Sequence, residues 1–233
     1  MSGCADNNIH GKSSQLSLST SPLESVQRVN SPKITPQGSI GQCHVRVGPM
    51  FSGKTGHLNA ELTRWADSTP YSVLRVNYTK DIRETKSVDK KSGITSHSSS
   101  FKGFSDSIAI QTVSSIDDVN ADNYDVIGID EAQFYLDIKS YVIKWLHEGK
   151  IIYITGLDSY SNGKIAQVIV ELLPYASTFS KLTANCRFCM ERHIMRPAIM
   201  TASNIKKKND VQIGGLNEYS PVCFECHCQH NVD

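Results

Sequence analysis

Little in this sequence points outward. Net charge is +1 over 233 residues, so bulk electrostatics give no case for binding nucleic acid or a membrane surface. No apolar run approaches the ~20 residues that a membrane span needs. Cysteine is almost missing before residue 186, where only Cys4 and Cys43 occur, and five of the seven cysteines follow. Residues 1–40 have few large apolar side chains and many Ser, Asn, Gln and Pro. Such a segment cannot bury enough surface to offset its ordering entropy and reads as a disordered arm. The arm also lacks the apolar stretch of a signal peptide. An intracellular, reducing setting is therefore expected, in which paired cysteines hold metal more often than they form disulfides. Ser21-Pro22 and Ser31-Pro32 would suit regulation, although a solvated tail explains the composition as well.

The most informative stretch is Gly48-Pro49-Met50-Phe51-Ser52-Gly53-Lys54-Thr55. It has the form G-x-x-x-x-G-K-[ST]. Its glycines allow a turn tight enough to aim backbone N–H groups inward as an anion nest. Lys54 can reach the outer phosphates of a nucleotide, and the Thr55 hydroxyl can hold Mg²⁺. The flanks fit. Cys43, Val45 and Val47 alternate with Gln42, His44 and Arg46 as in a strand, and Leu58, Leu62 and Trp65 recur at helical spacing.

Beyond it, residues 71–76 read as a second strand, followed by Asp81-Ile82-Arg83. Residues 84–100 read as an exposed loop, residues 107–113 as a strand, and residues 116–123 as a short helix or turn. Tyr124-Asp125-Val126-Ile127-Gly128-Ile129-Asp130-Glu131 is an apolar run ending in acids. It would carry Asp130 to the carboxyl edge of a sheet, where ligands bind in open α/β folds. Ile138, Tyr141, Val142, Trp145 and Leu146 form one helical face. Residues 151–154 read as a buried strand. Ile165, Val168, Ile169, Leu172 and Leu173 predict a further helix stopped by Pro174. Strands alternating with helices imply a three-layer α/β fold with a parallel sheet, here of the phosphate-loop nucleotide-binding kind. The expected organisation is an arm at 1–40, a nucleotide-binding domain at 41–177 and a small zinc-binding lobe at 178–233.

That lobe rests on Cys186-Arg187-Phe188-Cys189 and Cys223-Phe224-Glu225-Cys226. Two C-x-x-C knuckles complete the Cys₄ tetrahedron that Zn²⁺ prefers, a closed site with a structural role. The interval between them is longer than the roughly 15–20 residues of a compact ribbon. His227, Cys228 and His230 are competing ligands. A lone C-x-x-C can be redox-active, but two in this context favour zinc. Lys206-Lys207-Lys208, the one basic run in that interval, reads as a solvated loop.

A phosphate loop and an acidic strand end specify nucleotide binding but no reaction. With Asp130 on the metal, Glu131 is placed to take a proton from an attacking hydroxyl or water. Phosphoryl transfer asks mainly for positioning and charge neutralisation. A hydroxyl acceptor makes a small-molecule kinase, and water makes an ATPase. Phe134 can stack on a planar substrate or belong to the core.

These motifs, together with Gly128-Ile129-Asp130-Glu131-Ala132-Gln133-Phe134, Gly156-Leu157-Asp158 and Ile213-Gly214-Gly215-Leu216-Asn217-Glu218-Tyr219, resemble the zinc-containing, type II thymidine kinases in order over residues 42–228. The resemblance implies ATP-dependent phosphorylation of the thymidine 5′-hydroxyl, a cytoplasmic role in making dTMP for DNA synthesis, a homotetramer in many members, and feedback by dTTP. It makes Glu131 the catalytic base and puts Thr55 and Asp130 at the magnesium and phosphate positions. Asp81, Arg83 and Gln133 join the phosphate loop on the nucleotide side. Phe134 and Tyr219 flank the thymine, Met50 and Leu157 wall its pocket, and Val211, Gln212, Ile213 and Gly214 form a lasso-like loop that reads the base edge. Cys186, Cys189, Cys223 and Cys226 become the zinc ligands.

The chain departs from the family pattern on the acceptor side. Ser161 stands where a substrate-contacting Phe belongs, Ala166 where a second Phe belongs, and Met195 where a Thr packs on the thymine methyl. Gly56-His57-Leu58-Asn59-Ala60 replaces a Thr-Glu-Leu stretch, and Asn77 falls where Lys is common. Several readings stay open. The chain is a thymidine kinase with a remodelled pocket, a deoxynucleoside kinase of shifted specificity, or a weakly active copy that serves as an interaction partner. A plain ATPase and a nucleotide-switched zinc adaptor are the alternatives outside that family.

Overall fold

The computed structural model describes residues 40–79, 107–204 and 217–230. The expected arm (apart from Ile40), the loop at 84–100, Asp81, Arg83, the lysine run and Val211, Gln212, Ile213 and Gly214 lie outside the described residues.

Alternation and helical spacing produce the expected order. Strand β1 (Gln42–Val47) leads into helix α1 (Lys54–Ser68), followed by β2 (Val73–Tyr78), β3 (Ile108–Val113), β4 (Val126–Ile129), α2 (Ile138–His147), β5 (Ile151–Gly156) and the single-turn α3 (Gln167–Val170). Strand β6 (Thr178–Lys181) completes a six-stranded sheet of order β3-β2-β4-β5-β1-β6. Every pairing in it is parallel.

Because successive side chains of a strand point to opposite faces, the sheet has two cores. One face packs Val45, Val76, Ile129 and Ile154 against Ile138, Val142 and Trp145 of α2. The other packs Val73, Val126 and Tyr153 against Leu58 and Leu62 of α1. The helices lie on opposite faces of the parallel sheet, as a three-layer α/β fold requires.

Two boundaries differ from the sequence reading. The second strand starts later than residue 71 because the Asp125 carboxylate takes up the N–H and hydroxyl of Ser72, at 2.8 and 2.7 Å. The helix expected over 165–173 shrinks to α3 and a separate 3-10 turn at Leu173–Tyr175. The cause is a hairpin upstream: Ser159 bridges Ile165, and the Ala166 N–H donates to Asp158 O at 3.0 Å. That bond draws the helical register's first residues into extended backbone.

After β6 the chain enters the cysteine-rich part. Strand β7 (Ala184–Asn185) pairs with β8 (Pro197–Ala198), and β9 (Met200–Ser203) pairs with β10 (Tyr219–Val222), both antiparallel. Short helices α4 (Arg187–Met190) and α5 (Phe224–His230) carry the knuckles. Residues 178–181, expected in the lobe, pair with β1.

Candidate active site and metal centre

The carboxyl ends of β1, β5, β4 and β2 stand side by side, and the polar residues of the site hang from them. At β1 the chain turns through the phosphate loop into α1. A Cβ at Gly48 would lie 2.5 Å from the Leu182 carbonyl oxygen, so the position has no room for a side chain. Phe51 adopts φ 64° and Gly53 φ 82°, left-handed geometry that helps form such nests. The Ser52 hydroxyl donates to Pro49 O at 2.8 Å. Lys54 is buried and donates to Gly48 O and Pro49 O at 3.1 and 2.7 Å, which holds its ammonium at the loop. Thr55 opens the helix beside it, half-buried.

Asp130, just past β4, is the hub of the next strands. Its Oδ1 accepts from the Thr155 hydroxyl of β5 at 2.7 Å and from the Glu131 N–H at 3.1 Å. Its Oδ2 accepts from the Arg75 guanidinium of β2 at 3.0 Å. Arg75 is 2% exposed, and its Nε donates to Asn77 at 2.7 Å. A buried charge persists only when paired in this way. The carboxylate that the sequence assigned to magnesium therefore already carries a fixed cationic partner. A carboxylate oxygen can serve two partners, so Oδ2 can still face a metal.

Glu131 is left-handed at φ 53°, ψ 43°. Such backbone costs a non-glycine residue ~1–3 kcal/mol and clusters at functional sites. Its Oε2 accepts from Gln133 Nε2 at 2.6 Å, and Gln133 Oε1 accepts from the Leu157 N–H at 2.9 Å. Phe134 is stacked on Tyr78 at 4.7 Å between ring centroids, half-buried at the same edge.

Two lobe contacts reach this edge. The Met50 N–H donates to the hydroxyl of Thr201, 1% exposed on β9, at 3.0 Å. His227 Nε2 meets the Ser161 carbonyl oxygen at 3.1 Å, which anchors the hairpin that carries Ser161. Ser161 is half-buried, Ala166 lies in the core, and Tyr219 is buried on β10.

Met195 does not join them. It is 82% exposed on the turn that follows the first knuckle. It lines an open cleft of about 480 Å³ with Phe51, Ser52, Gly53 and Arg196, a lining that includes none of Met50, Phe134, Leu157, Ser161 or Tyr219. The threonine that meets Met50 is Thr201, which sequence reasoning missed. The cue was the alternating segment Met200-Thr201-Ala202-Ser203 ahead of the lasso, since the knuckle turn before it has no fixed length. Arg75 and Thr155 were missed too, because each sits inside an otherwise apolar strand.

In the lobe, the sulfurs of Cys186, Cys189, Cys223 and Cys226 all lie within 4.8 Å of one another, and all four residues are buried. Cys189 Sγ is 3.8 Å from Cys223 Sγ and 3.7 Å from Cys226 Sγ. A tetrahedral ion bound at ~2.3 Å from each sulfur sets sulfurs ~3.8 Å apart, so the four thiols fit Zn²⁺. Arg192 donates to Cys189 Sγ and Cys226 Sγ at 3.6 and 3.5 Å, a positive charge beside the cluster. Burial pushes the Cys226 thiol up to about 12. Burial also acts upward on Cys223, but hydrogen bonds from Cys226 and the neighbouring thiols outweigh it and hold Cys223 at about 7. His227 turns to Ser161, and Cys228 is exposed, so neither competes for the ion in this arrangement.

Comparison with known proteins agrees with the geometry. A family model described as "Thymidine kinase" matches residues 41–227. The chain is 33% identical to "Thymidine kinase 1" of Dictyostelium discoideum over 189 residues, 80% of this chain and 78% of that protein. It is 34% identical to the thymidine kinase of sheeppox virus over 187 residues, 80% of this chain and 97% of that one. It is 33% identical to a thymidine kinase of Oryza sativa subsp. japonica over 199 residues, 83% of this chain and 67% of that one.

Proposed function

The chain belongs to the thymidine kinase family, and from that premise we propose that it transfers the γ-phosphoryl group of ATP to the 5′-hydroxyl of thymidine. The observation that carries this reading is the meeting of the phosphate loop with the Asp130–Glu131 strand end at one sheet edge. The backbone of residues 48–55 cradles the phosphates, and Lys54 turns from its own loop toward them. Thr55 and Asp130 are the residues that would hold Mg²⁺, which neutralises charge on the phosphates when bound. Arg75 fixes the direction of the Asp130 carboxylate. Glu131 accepts the proton of the attacking 5′-hydroxyl. On the acceptor side, Met50, Leu157, Phe134, Tyr219 and Thr201 wall the base, with the lasso segment at 211–214 reading its edge. Asp81 and Arg83 stay on the nucleotide side of this reading. The four cysteines hold a structural zinc that keeps the lobe ordered.

Two finer points belong to the same proposal. The outer edge of β6 has no strand partner among the described residues, and Phe179 on it is 49% exposed. An open edge is a template for another strand, which supports self-association, by family resemblance as a tetramer. Four reduced thiols around zinc suit a reducing compartment, which supports a cytoplasmic site for a step in dTMP supply.

The hairpin that carries the half-buried Ser161 in place of an aromatic favours one second reading, a kinase of shifted nucleoside preference. Phosphate transfer from ATP–Mg²⁺ to thymidine, deoxyuridine, deoxycytidine and deoxyguanosine separates the two, with a control lacking nucleoside. Turnover limited to thymidine and deoxyuridine is expected. Preference for another nucleoside selects the second reading, and ATP turnover in the control alone would remove both.

A further inference from the structure

Gln133 was expected to touch nucleotide, but its amide is engaged elsewhere. The residue is 3% exposed. Its donor end holds Glu131 Oε2 at 2.6 Å and its acceptor end holds the Leu157 N–H at 2.9 Å. Only an amide offers a donor and an acceptor together at this length: a carboxylate would set anion against anion, and a hydrocarbon would satisfy neither. The space for it comes from Gly156. A Cβ there would lie 2.7 Å from Gln133 Oε1 and 3.1 Å from Ile169 Cδ1. Leu157 is also the root of the hairpin at 158–166 that His227 anchors at Ser161.

We propose that Gln133 is a positioning residue: it sets the direction of the Glu131 carboxylate from the backbone where the acceptor-side hairpin begins, and it holds no nucleotide. Glu131 leaves the strand in a left-handed conformation, so its side chain needs an outside reference, and the end of the sheet's next strand supplies one through Gln133. Displacement of the hairpin root then turns the base. The inference rests on Glu131 being the base.

Kinetics of the full-length, zinc-loaded protein test it. Gln133→Leu is expected to lower kcat by about 10- to 100-fold, the scale of a misplaced catalytic group. Affinity for a non-hydrolysable ATP analogue should stay within about twofold, small against that loss. Gly156→Ala, which crowds the same amide, should reproduce the split, and the double variant should fall short of the product of the single effects. If Gln133→Leu does not fold, Gln133→Glu keeps the acceptor for Leu157 and should show the same split. A tenfold loss of ATP-analogue affinity with kcat intact, or kcat unchanged in a folded variant, overturns the proposal. Wild-type kcat in Glu131→Gln overturns the premise instead, and so is distinguishable.

Discussion

Around the sheet, Leu58, Leu62, Ile154 and Trp145 are at most 2% exposed and pack into continuous apolar layers. In the lobe, the buried cluster is Ala198, Ala202, Val222 and four cysteines. At ~25 cal/mol per Å² of apolar burial, these small side chains, with only the partly buried Ala184, Phe188 and Met200 packed against them, contribute far less than the layers of the sheet. The sheet is held by area, whereas the lobe offers four clustered thiols that fit a metal ion. The lobe also supplies Thr201 to Met50 and His227 to Ser161. The part with the least core of its own is therefore bonded to both the phosphate loop and the hairpin.

The sharpest way to break this contrast is to remove zinc. A structural zinc contributes ~10–16 kcal/mol of coupled folding energy in small domains. A strong chelator, or Cys226→Ala, should abolish thymidine phosphorylation and open residues after β6 to proteolysis while the sheet keeps its circular dichroism. Loss of both regions in one transition would erase the distinction. Next in size, Glu131→Gln should cost ~10²–10⁴ in kcat with zinc content and melting temperature unchanged, because chemistry belongs to neither source of stability. Leu62→Ala should destabilise by ~2–5 kcal/mol, read from denaturant unfolding, with zinc content by metal analysis untouched.

A smaller effect crosses between the regions. Thr201→Val leaves the Met50 N–H without its hydroxyl, which costs ~1–3 kcal/mol for a buried group. It should appear as a raised KM for the acceptor more than as a lower melting temperature. The smallest is a pH effect on the sheet alone. Burial lowers the pKa of His44, partly opposed by Glu61 and assisted by Arg46 and Arg64. The unfolded chain then takes the proton first as pH falls, so stability declines from 6.5 down toward the folded value. His44→Phe should flatten the melting temperature between about pH 7 and 5, leaving acid release of zinc as it was.

What the sequence disclosed was local. The glycine spacing of residues 48–55, the acids closing β4 and the paired cysteines each carry their geometry within a few residues. Arg75 was hidden because its partner Asp130 is 55 residues away, and nothing near it announces a buried charge. The helix expected at 165–173 has the right periodicity, but the bond from Ala166 to Asp158 outweighs propensity there. Counting forward from Cys189 to Met195 crosses a turn of free length, whereas the pairing of β9 with β10 sets Thr201 beside Met50.

The strand order has a consequence for how the protein is made. β1 is synthesised first, yet its two neighbours are β5 and β6, paired through residues 151–156 and 178–181. A nascent chain that has exposed the whole phosphate loop still has no ladder on either side of it. Non-local parallel pairings of this kind form slowly, and translation at ~5–20 residues per second adds further seconds before they are available. The emerging chain therefore carries a strand, apolar on one face, that lacks both ladder partners until residues 178–181 have been made.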